Sequence, residues 1–260
     1  MRCFICALWV IVLVGGGGDI AAAAGLDAAK IADVKKASEA FVAMGKDAYK
    51  TASQAPRQSD PAVKALLDAV FDTSVLAGPP PVTFAQFLDV NNWLMQVVNA
   101  GLIYVTAGTG IADFGSVTSI TPAAQEQMNS NVITYAPEMG RYYDAQLAVT
   151  KVEIDLIIGE LAAHPDAYKS GTKAQGIEEM RSGLAQTLAG VVETFQLPGV
   201  DPGWLHDRLP TLLALAPSAS KFLQADARQQ LHDLATKVAA AASDTGIKSG
   251  LTSFAQAVAP

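Results

Sequence analysis

Residues 83–107, TFAQFLDVNNWLMQVVNAGLIYVTA, constrain the fold more than any other stretch of this chain. They carry one charge, Asp89, and their apolar residues recur at helical spacing. Thr83 followed by Gln86 has the spacing of a capping box, in which each side chain satisfies an amide of the first turn. Steps of about 100° place Phe87, Leu94, Val98, Leu102 and Val105 along one face. Gln86, Asp89, Asn92, Gln96, Asn99 and Thr106 occupy the other. A helix washed by water carries Lys and Glu there, so a stripe of amides predicts a central helix enclosed on most sides. Its second face would meet a polar partner, trapped water or a bound molecule. Asn92, Trp93, Gln96 and Asn99 are the candidate ligand-lining residues on that reading. The same amides would equally serve as hydrogen bonds between helices that set their register.

The flanking sequence is helical throughout. A first helix spans about 27–51, with Ile31, Val34, Phe41 and Met44 as its stripe. Asp60-Pro61, Thr121-Pro122 and Asp201-Pro202 each pair a capping residue with a proline at the first helical position. Pro137 kinks or restarts the helix that Thr121 opens, and the pattern then continues to about residue 163. Thr172 and Gln175 repeat the capping-box spacing before Ile177, Met180, Leu184, Leu188, Val191 and Phe195. Pro210 predicts a kink or interruption within 203–215. Ser218 or Ser220 predicts a new N-cap for the helix through Leu231 and Val238, and residues 246–258 close the chain. Alternating β-branched runs are absent. The expected class is therefore all-α, a compact bundle of seven or eight helices forming one domain over residues 25–260.

Several fragments share letters with catalytic motifs without their context. Asp113-Phe114-Gly115 has no His-Arg-Asp loop or lysine-bearing strand to accompany it. Ser218-x-x-Lys221 looks like the nucleophile motif of penicillin-binding enzymes, but those motifs converge from a mixed α/β fold, and here the neighbouring sequence is helical. Glu153, Glu160 and His164 lie along one flank of a helix and offer two carboxylates and an imidazole to a divalent metal. The paired Glu-x-x-His motifs of carboxylate bundle sites are missing. A solvated acidic flank, closed by a histidine that suits the helix C-terminal dipole, accounts for the same residues. Trp204, His206, Asp207 and Arg208 form a further cluster, with Asp207 positioned in sequence to adjust His206. No cofactor is expected.

Composition bounds the partners. Arg2, an apolar run to Val14 and Ala21-Ala22-Ala23-Ala24 make the three parts of a secretory signal peptide, with cleavage expected after Ala24. That run is shorter than the ~20 residues a membrane span needs, so no stable span is expected after cleavage. Both cysteines, Cys3 and Cys6, lie within it, which leaves the remaining chain without disulfide or thiolate chemistry. A net charge of −7 lacks the basic footprint of nucleic-acid binding. Charged residues are 17% and hydrophobic residues 50% of the chain. A chain so short of charge buries much of itself or presents apolar surface to a partner. The expected function is thus an exported, periplasmic or extracellular, non-catalytic interaction protein, with an envelope or extracellular protein or a second copy as partner. The alternative is a binding protein for a small, largely uncharged ligand held between helices.

Overall fold

The computed structural model describes residues 26, 28–52, 54–77, 81–111 and 119–260. The signal-peptide segment and the Asp113-Phe114-Gly115 triplet lie outside the described residues. Nine α-helices are described: α1 (Ala28–Ala52), α2 (Pro61–Phe71), α3 (Phe87–Val105), α4 (Pro122–Thr134), α5 (Ala136–Ala163), α6 (Gly171–Thr194), α7 (Pro202–Phe222), α8 (Ala225–Ala241) and α9 (Thr245–Val258). No strand occurs among the described residues. The all-α class agrees with the sequence, while the count exceeds seven or eight. The helix restarts around Pro137, one of the two outcomes expected there, and the later break falls at Leu223 and Gln224 instead of before Ser218.

Local chemistry explains most helix starts. Asp60, Thr121 and Asp201 accept the backbone N–H groups of Ala62, Ala124 and Trp204, each ahead of a proline in the first turn. Gln86 reaches back to accept the Thr83 N–H at 3.1 Å, and its amide donates to the Leu26 carbonyl at 2.9 Å. The second capping box does not form. Helix α6 begins two residues earlier than that box would set, at Gly171, whose φ of +71° turns the chain into it, and Gln175 donates forward to Glu179 instead.

Helix α3 packs against α1, α2, α4 and α5. Two glycines permit its closest crossings. A Cβ on Gly45 of α1 would stand 2.6 Å from Ile103, and one on Gly101 would stand 2.3 Å from the Tyr142 ring of α5. Both distances are far below van der Waals contact. The start of α5 meets the end of α3, and the turn that precedes α3 also touches α5, so the two helices run antiparallel. Trp93 and Tyr104 are fully buried, and the Trp93 indole N–H donates to the Val70 carbonyl at 2.9 Å.

Helix α5 also packs against α7, which leads through α9 and α8 to α6. Trp204 and Arg208, one turn apart on α7, both face α5. Trp204 donates to the Ala136 carbonyl at 2.6 Å, and Arg208 holds Asp144 at 2.8 Å. Helix α7 runs unbroken through Pro210 and Pro217, which corrects the expected interruption. Seven residues apart, both prolines share one exposed face, where carbonyls left without an N–H partner meet water. Ser218 is consequently no N-cap. It is buried inside α7 and donates to Asp155 of α5.

Candidate ligand site

A cleft of about 280 Å³ opens where the α1–α2 connection passes the end of α3 and the length of α4. Gln54, Arg57, Gln127, Asn131, Thr134 and Tyr135 line it, with Ala107 at the margin. Each wall is anchored to the core by a buried bond. Tyr135, the single residue between α4 and α5, accepts the Ala55 N–H at 3.0 Å through its hydroxyl. The next two linker residues to be fixed are Arg57, whose guanidinium lies 4.6 Å from the Tyr135 ring centre, and Gln58, whose N–H donates to Glu138 at 2.9 Å. Glu138 is buried and also meets Arg57 at 3.4 Å. Asn131 donates to the Val105 and Ala107 carbonyls at 3.0 and 2.8 Å, which caps the C-terminus of α3 from the side.

Phenols lie beneath the cleft. The Tyr104 ring stands 5.4 Å from Tyr135 and stacks on Phe41 at 5.6 Å. Its hydroxyl is buried without a hydrogen-bond partner. Tyr49 has its hydroxyl beside Thr106, yet no hydrogen bond closes with good geometry. Burial pushes both phenols well above their ordinary range, so both stay protonated as donors. Two unsatisfied phenols behind one polar cleft are unusual, since buried polar groups are nearly always paired.

A wider hollow of about 470 Å³ lies at the other end of α5, against Leu161, Tyr168, Ile177, Glu178 and Arg181. Its charges are already committed. Arg181 bonds Glu178 and donates from Nε to the Phe222 carbonyl, while Lys169 pairs with Asp166.

The residues singled out from the sequence are distributed differently. Asn92 is exposed, Gln96 and Asn99 are half-buried, and Trp93 is sealed inside the core. None of the four lines either cavity. The buried amides of that stretch are Gln86, bonded to the Leu26 carbonyl, and Asn91, whose Oδ1 lacks a partner. The structure also separates the three metal candidates. Glu153 is buried with Oε1 unpartnered, Glu160 accepts the Tyr168 hydroxyl at 3.3 Å, and His164 is exposed beyond the end of α5. Among the described residues no group of three His, Cys, Asp or Glu side chains is placed to hold a metal ion. Desolvation alone raises the Glu153 carboxyl to about 8. His206 turns from Asp207 and pairs with Asp244 at 2.9 Å.

The cleft residues carried one unread signal. Helix α4 carries Gln125–Asn129 and Gln127–Asn131 pairs at one-turn spacing. Asn131 is buried among Ala124, Met128 and Val132, and an amide on an otherwise apolar inner face needs a partner there. No family model, curated protein or solved structure matches the chain.

Proposed function

We propose that this protein is an exported, non-catalytic binding protein that holds a small polar molecule in the cleft over Tyr135. The observation that carries the reading is the cleft itself, whose walls of amides, hydroxyls and one guanidinium are anchored through Tyr135 and Asn131. Among the described lining residues there is no histidine, serine, cysteine or carboxylate, hence no nucleophile with a base beside it. Export rests on the three-part N-terminal pattern. No helix among the described residues is long and apolar enough to cross a membrane.

The interaction-module reading needs apolar surface. Among the described residues only Leu88 and Ile133, at 52% and 43% exposure, are large apolar side chains in open solvent. The apolar surplus of the sequence is spent inside, which favours the ligand reading over a protein partner.

Native mass spectrometry of the chain purified from the exported fraction tests this. Discrete added mass, removed by denaturation and lost in Thr134→Trp, is the expected result. Thr134 is exposed, so the tryptophan fills the cleft without entering the core. A bare chain, or an adduct that survives Thr134→Trp, would count against the cleft.

A further inference from the structure

We infer that the cleft selects a small carboxylic acid that also carries a hydrogen-bond donor, of the size of an α-amino or α-hydroxy acid. The inference rests on the cleft being a binding site and specifies what it binds. Arg57 is the only cation among the described lining residues. Its guanidinium carbon stands 4.6 Å from the centre of the Tyr135 ring, a cation–π contact that restricts its rotamers without using its N–H groups. The acceptor in reach, Glu138 Oε2, stands 3.4 Å away, well beyond the ~2.7–2.9 Å of a full charge-assisted bond. Glu138 makes its closer contact through the other oxygen, to the Gln58 N–H at 2.9 Å. Arg57 is therefore oriented but weakly bound. A carboxylate supplies the two parallel oxygens that its fork is built to hold.

The second half of the recognition follows from an amide chain whose polarity is determined. Both Asn131 N–H groups are taken by the Val105 and Ala107 carbonyls, so Asn131 Oδ1 has to be the acceptor that faces Gln127 at 3.0 Å. Gln127 must then donate one N–H through Nε2, which leaves its carbonyl oxygen as an acceptor beside the second N–H. The α4 wall thus offers an acceptor, while the linker wall offers a cationic fork. A molecule that satisfies both walls carries a carboxylate and an N–H or O–H donor. At about 280 Å³ the space lies just under the ~300–1,000 Å³ of pockets for drug-sized ligands, so it admits an α-amino or α-hydroxy acid with room for a side chain.

Calorimetric titration of the full exported chain with L-alanine, L-serine and L-lactate, each beside its carboxamide, tests the inference. At least one acid is expected to bind, with its carboxamide weaker by about tenfold or more. Arg57→Gln is expected to remove that preference, and Gln127→Leu to weaken the acid by about tenfold. The acid-against-amide comparison uses the unaltered chain, so it stands even if Arg57→Gln folds poorly. Equal binding of acid and amide would overturn the carboxylate assignment, as would an unaltered affinity in Arg57→Gln. So would failure of every acid to bind at millimolar concentration. An adduct that Thr134→Trp abolishes would then leave the cleft reading standing on its own.

Discussion

The helices around α3 and those beyond α7 achieve burial by different means. In the second group, Leu231, Ala235 and Val238 of α8 meet Ile247, Leu251, Phe254 and Val258 of α9 in an aliphatic seam. Polar bonds there flank the seam: Gln224 to Glu178 at the surface, and the part-buried contacts of Arg228 with the Ala259 carbonyl and of His232 with the Ala255 carbonyl. Around α3 the packing is threaded with polar bonds that cross between elements: Ser38 to the Gln96 carbonyl, Trp93 to Val70, Gln86 to Leu26 and Asn131 to the end of α3. Among the described residues, four of the five buried side-chain atoms without a partner belong to this side, on Tyr49, Asn91, Tyr104 and Glu153, and the fifth is Arg228 Nε of α8. Glu153 lies three helical turns beyond Tyr142, on the α5 face that meets α3. An aliphatic seam tolerates small changes of register, whereas directional bonds admit one arrangement. The polar side is also where the cleft is built.

Five substitutions probe that contrast. Phe254→Ala should destabilise by about 3–5 kcal/mol in chemical denaturation, because the ring is fully buried in the aliphatic seam. A loss below about 1 kcal/mol would mean that this seam does not hold the second group together. Glu153→Gln should act in the opposite direction and stabilise the chain by about 3 kcal/mol at pH 7. Its folded carboxyl ionises near 8 against an ordinary 4.5, so the folded state keeps a proton that the unfolded state releases. Stability is then highest below about pH 4.5, falls as the pH rises to about 8, and levels off above it. Denaturation midpoints across that window should slope for the native chain and flatten in the variant, and equal slopes would remove Glu153 from the account.

Gly101→Ala drives a methyl into the Tyr142 ring and should cost about 1–3 kcal/mol. Gly159→Ala, with open space around its would-be Cβ, should gain up to about 1 kcal/mol from helix propensity. Thermal melts that showed both changes alike would blunt the claim that α3 and α5 cross at contact distance. Tyr104→Phe removes a buried hydroxyl that bonds nothing and should stabilise the ligand-free chain by about 1 kcal/mol. A destabilised variant would reveal a partner for that hydroxyl.

What the sequence disclosed follows the range of the forces involved. Asp60, Thr121 and Asp201 act on amides two or three residues away, so their caps were legible, as was the helix that Gln86 opens. Pro210 and Pro217 were misleading because their cost depends on which face they share, and that face is exposed. The amide stripe divides: Gln86 is buried and bonds the Leu26 carbonyl, while Asn92 is exposed one 100° step from buried Asn91. The cleft was the least legible feature. Arg57 and Tyr135 meet only after the chain has passed through α2, α3 and α4, and no local pattern records that meeting.

Helix α5 carries one further consequence. Its twenty-eight residues present one face to α3 and another to α7, so each group of helices uses it as a wall. Neither group can melt alone without stripping one side of a helix that the other still grips. Heating should therefore register a single cooperative transition, with calorimetric and van't Hoff enthalpies equal. In an optical trap, pulling apart the ends of the described chain should release both groups in one rip.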